Sequence, residues 1–138
     1  MCIRDSLGTS SIDQRLKQIV ILRTSVMLQC HYCLVTHALV SLRFLSPDEV
    51  RALLRDRCGS VFSEPREECL LQWTEALAAD RGPLPAVLTE AFAQAFDEEE
   101  VVELTLLAGA TMMLNRYATA MRLPLPEEKL ARFEALRA

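Results

Sequence analysis

The chain is poor in the residues that punctuate β-structure. Four glycines and six prolines in 138 residues are too few for the many tight turns of a sandwich or barrel. Aromatic residues are scarce, at 6%, so the core is expected to be mostly aliphatic. A basic stripe is missing as well. The 15 basic and 19 acidic residues give a net charge of −4, and nucleic acid is not an expected partner. The longest near-apolar run, Leu104 to Leu114, is far short of the roughly 20 residues that cross a bilayer, so no membrane association is expected. No secretory signal can be read at the start, and a cytoplasmic protein is expected. Five cysteines are an odd number, without the spacing of a disulfide framework. Met1–Ser6 (MCIRDS) looks foreign to the rest of the chain, like translated adapter at the edge of a metagenomic read. Residues 1–9 are therefore set aside as a doubtful or disordered segment, and Cys2 carries no weight.

What is present favours helix. Half of the chain, 51%, is apolar, mostly Leu, Val, Ala and Met, and these are good helix formers. The length suits one domain, expected over residues 10–138, large enough to bury a core without staples. Ser10 or Ser11 can cap a first helix in which Leu16, Ile19, Val20, Leu22, Val26 and Met27 recur at helical spacing, with Arg15, Lys17, Arg23 and Gln29 between them. Cys30 to Leu45 continues as helix after a bend at Gln29–Tyr32. Ser46-Pro47-Asp48-Glu49 restarts the chain with a cap, a proline and two carboxylates, and that helix stops near Gly59. Ser63 to Ala79 is a fourth helix with Cys69, Leu70, Trp73 and Leu77 as its apolar stripe. Pro85 to Phe96 is a short one. Asp97 then caps a long helix reaching Arg122, and Glu127 to Leu136 closes the chain. The fold class is all-α, a bundle of about six to seven helices. The long helix is apolar nearly all round from Leu104 to Leu114. In so small a domain, neighbouring subunits are expected to cover part of it.

Cys30, Cys33 and His37 stand at i, i+3 and i+7, so on one helix they share a face. A cysteine near a helix N-terminus with an imidazole nearby has its thiolate stabilised. A second cysteine can resolve a sulfenic acid into an internal disulfide, and His37 can carry the proton that each step moves. The bland alternative is two buried cysteines and a core histidine. Zinc fits less well, because two cysteines and one histidine fall a ligand short of a closed site and His31 points off the shared face. His31 either supports the pair, since a positive charge there stabilises the thiolate and raises the potential, or faces solvent, and the second is expected. Tyr32 either donates a hydrogen bond near the sulfurs or simply packs. Cys58 and Cys69 read as ordinary thiols, and Met112, Met113 and Met121 as core filler. Glu98-Glu99-Glu100 suits a helix N-terminus. Asn115-Arg116 interrupts an apolar helix; a buried arginine there needs a partner, either a subunit contact or a carboxylate on the first helix.

Residues 10–45, with Cys-x-Tyr-Cys-x-x-x-His at Cys30, Tyr32, Cys33 and His37, resemble the alkylhydroperoxidase D (AhpD)-like group of the carboxymuconolactone decarboxylase superfamily. Arg23 falls where that group's helix carries an arginine. Asp97 to Pro124, with Asn115-Arg116 near the helix end, resembles its long helix. The resemblance implies an all-helical homo-oligomer, trimeric or hexameric, acting as a thiol-dependent peroxidase or disulfide reductase. It implies Cys33 as the peroxidatic cysteine, Cys30 as the resolving one and His37 in the proton relay. The substrate would be a hydroperoxide and the reductant a dithiol such as a lipoyl protein, with no flavin, haem or metal cofactor. One position departs from the pattern. The group carries a glutamate twelve residues before the first cysteine, and here that residue is Gln18, which cannot take a proton at neutral pH. Two other functions stay open at this point: a carboxymuconolactone decarboxylase-type lyase, and a non-catalytic oligomer whose dithiol records redox state.

Overall fold

The computed structural model describes residues 12–55 and 61–138, which form helices and connecting turns with no strand among them. The first helix, α1 (Gln14–Met27), starts at Asp13, whose carboxylate accepts from the Arg15 N–H at 3.0 Å. The expected caps Ser10 and Ser11 lie outside the described residues. Next come α2 (His31–Ser41) and α3 (Pro47–Leu54). At the start of α3 the Glu49 N–H donates to Ser46 Oγ at 3.2 Å, and the Ser46 N–H donates to Glu49 Oε2 at 2.8 Å. This reciprocal cap, with Pro47 at the first position, is what the sequence pattern predicts. The helix ends at Leu54; the expected stop at Gly59, like Cys58, lies outside the described residues.

Helix α4 spans Pro65–Ala79, two residues shorter at its start than expected, and is capped by Glu64. Helix α5 spans Ala86–Ala95, and α6 spans Glu98–Met121 behind the expected Asp97 cap. Helix α7, Glu127–Arg137, ends the chain.

Helix α1 is the axis of the bundle, with α2, α3, α4 and α6 packed around it. Every residue from Leu16 to Ser25 is buried, so the polar side expected from Lys17, Gln18 and Arg23 is not a solvated face. These side chains are held inside by partners. The Arg23 guanidinium donates to Glu75 Oε1 at 2.7 Å, to the Leu53 carbonyl at 2.9 Å and to the Arg55 carbonyl at 2.6 Å. It thereby ties α1 to α4 and satisfies the open carbonyl end of α3. Arg15 bridges Glu49 of α3 and Glu67 of α4. Between α4 and α5, Trp73 stacks on Phe92 at 4.1 Å between ring centroids. Helix α7 lies across α2 and α3, and its Phe133 and Leu136 join the core.

Helix α6 is the outlier. Leu104, Leu107, Ala108 and Thr111 face the core, whereas Leu106 and Met113 are each 65% exposed. Burial on all sides is therefore not achieved within one chain.

Candidate dithiol site

The two helices that carry the dithiol are joined by a Schellman turn. Gln29 adopts φ +54°, its N–H donates to the Val26 carbonyl, and the Cys30 N–H donates to the Ser25 carbonyl, both at 3.0 Å. These are the two bonds that close a helix C-terminus, with glutamine standing where glycine is usual. The turn sets Cys30 as the N-cap of α2. The expected placement of both cysteines within one continuous helix is corrected accordingly: Cys30 precedes the helix and Cys33 is its third residue. The cause is the left-handed Gln29, a position with no glycine to announce it.

The separation still brings the two sulfurs together, with Cys30 and Cys33 within hydrogen-bonding reach of each other. Both thiols are free and buried. They pack with Ala118 of α6, and Tyr32 and Leu123 cover the cluster from outside. Cys30 also lines a cleft of about 220 Å³. Its opposite wall is the end of α6, built the same way as the end of α1. Arg122 adopts φ +50°, and the Leu123 N–H donates to the Ala118 carbonyl at 3.2 Å. The cleft thus lies between two helix-terminating turns, with Gln29, His31 and Tyr32 on one side and Thr119, Arg122 and Leu123 on the other. His31 is exposed, as expected, and Tyr32 is half-buried against the sulfurs.

The electrostatics of Cys33 run against the sequence expectation. Its place at a helix N-terminus favours the thiolate, yet burial, reinforced by the Cys30 thiol, pushes its pKa up to about 12. Desolvation outweighs the helix dipole at this site. One group opposes it: Asn115 of α6 hydrogen-bonds to Cys33 and favours the thiolate. Asn115 is almost fully buried, at 1% exposed, and its Nδ2 also donates to Ser25 Oγ at 3.1 Å. Its Oδ1 is buried with no partner. The sequence marked Asn115-Arg116 as unusual, but the two residues separate. Asn115 is the buried one, and Arg116 is exposed, so the expected buried arginine of α6 is instead Arg23 of α1.

His37 lies one turn beyond Cys33 on α2. Burial alone lowers its pKa to about 4, leaving a neutral imidazole whose Nδ1 is enclosed without a hydrogen-bond partner. Among the described residues no carboxylate completes a relay through it. Gln18, at the position of the expected glutamate, is buried and accepts a hydrogen bond from Ser41 Oγ at 3.3 Å, one turn past His37. No three His, Cys, Asp or Glu side chains converge as a metal would require, among the described residues. Cys69 is half-buried on α4, and burial raises its thiol pKa.

An all-helical bundle with a Cys-x-x-Cys pair at a helix start defines a recognisable class. The sequence matches the Carboxymuconolactone decarboxylase family model over residues 4–76, and the chain belongs to that family. Among its relatives is the uncharacterised protein YnjA of Escherichia coli, 28% identical over 116 residues. That match covers 83% of this chain but only 63% of YnjA, so this chain spans less than two thirds of that relative. In structure it resembles a protein of unknown function from Agrobacterium tumefaciens, proposed as the antioxidant defence protein AhpD. The TM-score is 0.80 at 27% identity, covering 90% of this chain and 86% of that one. The fold is also that of the debrominase Bmp8, at TM-score 0.80 and 20% identity, over 94% of this chain and 69% of Bmp8.

Proposed function

We propose that the chain is a dithiol oxidoreductase of the AhpD type that reduces hydroperoxides through Cys30 and Cys33. The observation that carries this reading is the mutual hydrogen-bonding reach of the two sulfurs, one of them on the wall of an open cleft. In the first step the Cys33 sulfur attacks the distal oxygen of a hydroperoxide. The O–O bond breaks, the alcohol leaves with the thiol proton, and Cys33 becomes a sulfenic acid. The Cys30 thiol then attacks that sulfur, expelling water and forming the Cys30–Cys33 disulfide. An external dithiol, of which a lipoyl protein is the expected kind, enters at Cys30 and restores both thiols while becoming a disulfide itself. His37, neutral above about pH 4, is the group proposed to pass the proton between sulfur and leaving oxygen. A reducing cytoplasm, which keeps the pair as a dithiol between turnovers, is the setting proposed. No helix among the described residues is long and apolar enough to cross a membrane.

A second reading has its own support. Burial of both sulfurs, and an amide at Gln18 in place of a carboxylate, suit a slow redox recorder that is oxidised once and does not turn over. The two readings part in a single experiment. The reduced protein is treated with one equivalent of a hydroperoxide and analysed by mass spectrometry, then supplied with excess hydroperoxide and dihydrolipoamide. Loss of two hydrogens linking Cys30 to Cys33 is expected under both readings. Multiple turnover, abolished in Cys33→Ser, is expected only of the enzyme. With the Cys33 thiol at about 12, the rate should climb about tenfold per pH unit above neutrality. Turnover unaffected by Cys33→Ser would overturn the assignment.

A further inference from the structure

The cleft beside Cys30 is walled by two helix ends that break the same rule. Gln29 closes α1 at φ +54° and Arg122 closes α6 at φ +50°. A left-handed residue at a helix end is ordinarily glycine, and a side chain there carries strain that glycine would not. Among the described residues these are the only two non-glycines with positive φ, and both line this cleft. Strain kept at two positions of one site points to side chains that are needed there.

The side chains say what the cleft would hold. Arg122 is exposed and forms no ion pair among the described residues, whereas Arg15, Arg23, Arg51 and Arg66 each meet a carboxylate. No carboxylate stands among the described residues of the lining. Helix α2 turns its start to the cleft and α6 its end. Those two dipoles oppose each other, so the fixed charge is left to Arg122. The remaining wall includes Ala118, Leu123 and the Tyr32 ring. At about 220 Å³ the cleft is smaller than the roughly 300–1,000 Å³ that encloses a drug-sized molecule. It suits a slender aliphatic chain with an anionic end, and a guanidinium matches a carboxylate through two parallel hydrogen bonds.

Of the two sulfurs only Cys30 lines the cleft, and that decides which reactant enters it. The hydroperoxide has to reach Cys33, whereas the reductant meets Cys30. We propose that the cleft binds a small dithiol bearing a carboxylate, with Arg122 as its counter-ion, and prefers it to the same dithiol ending in a neutral amide. This rests on the dithiol oxidoreductase reading and names the reductant of that site. One thiolate of the bound dithiol attacks Cys30 Sγ. The Cys30–Cys33 bond breaks, and Cys33 leaves and takes up the proton that the attacking thiol gave up. The second thiol of the reductant then attacks its own first sulfur, closing a cyclic disulfide and releasing Cys30, which takes the second proton. Two hydrogens thus pass from the dithiol to the cysteine pair. Arg122 holds the carboxylate and takes no part in the exchange at sulfur.

Dihydrolipoate and dihydrolipoamide differ only at that end and test the assignment directly. The full chain is oxidised to the Cys30–Cys33 disulfide with diamide, mixed with either dithiol and quenched, and loss of the disulfide is followed by peptide-resolved mass spectrometry. Dihydrolipoate should react about fivefold faster at low salt. The ratio should approach one in 1 M salt, where the screening length is about 3 Å. Arg122→Lys should keep most of the preference and Arg122→Gly should lose it. Glycine relieves the left-handed position, so the urea midpoint of Arg122→Gly should not fall, which separates lost charge from lost fold. Arg116→Gln, on α6 but outside the cleft, changes net charge equally and should leave the preference as it is. Reduction by neither dithiol would sink the oxidoreductase reading and this inference with it. Equal rates for the two dithiols, or a preference that survives in Arg122→Gly, would overturn the inference alone.

Discussion

Asn115 shows what a single side chain contributes to the dithiol. A buried thiol at about 12 holds almost no thiolate at neutral pH, and the Asn115 amide is the group that opposes this. A hydrogen bond to a charged partner contributes about 1.5–3 kcal/mol, equivalent to roughly one to two pKa units. Asn115→Leu, close in volume but without a donor, should therefore slow alkylation of Cys33 by iodoacetamide at least tenfold at pH 9. Cys69, remote from Asn115, should be unchanged in the same digest, which separates a local electrostatic effect from loss of fold. The closeness of Cys30 and Cys33 was legible in their spacing, because three residues apart at a helix start puts two side chains near one another. The role of Asn115 was not. It depends on α6 crossing behind α2, a tertiary fact that no local pattern encodes.

At the scale of elements, the helices whose ends are chemically marked were the ones the sequence located well. Ser46 with Glu49, and Asp97 with Glu100, form reciprocal caps in the structure, and both starts could be read directly. The start of α2 falls within the bend expected at Gln29–Tyr32, one residue later than expected, and its boundary is made by a left-handed glutamine. A non-glycine residue in that conformation costs about 1 kcal/mol, so Gln29→Gly should stabilise the turn by up to about 1 kcal/mol in urea unfolding. A cost instead would mean that the Gln29 side chain, on the cleft wall, makes contacts that outweigh the strain. The joint between α1, α3 and α4 depends on Arg23 in the same way. Arg23→Met keeps the bulk but takes the donor from the Leu53 and Arg55 carbonyls and removes the tie to Glu75. Glu75 is 36% exposed and water can take over its share, so the cost is mainly that of the unmet carbonyls, about 1–3 kcal/mol for a buried one, and chemical denaturation should show a loss in that range with the helical signal retained.

Across the whole molecule, hydropathy along a helix did not reveal which one is central. Helix α1 carries Lys17, Gln18 and Arg23 and looked amphipathic, yet it is buried on every side from Leu16 to Ser25. Helix α6, apolar nearly all round, was expected to keep part of its surface outside the core of one chain, and it shows an apolar face to solvent there. Polar side chains can be interior when partners meet them, and apolar ones can lie at the surface of one chain; composition along one helix distinguishes neither case. Placing polar groups inside also makes global stability depend on pH. His37 is half-buried with its Nδ1 enclosed and is held neutral, its pKa lowered from 6.5 to about 4 by desolvation. Above pH 6.5 both folded and unfolded chains hold it neutral, and it contributes no pH dependence. Between pH 6.5 and 4 the unfolded chain takes up a proton that the folded chain refuses, so stability falls as the pH falls. The full loss is about 3 kcal/mol, reached near pH 4 and constant below it as far as this group is concerned. Urea midpoints measured from pH 7.5 to 4 should decline along that course. In His37→Gln, which keeps a polar side chain but no titration, the decline should shrink by most of that amount. An identical decline in the variant would assign the acid sensitivity to carboxylates such as Glu49, whose pKa Arg15 holds below the ordinary value.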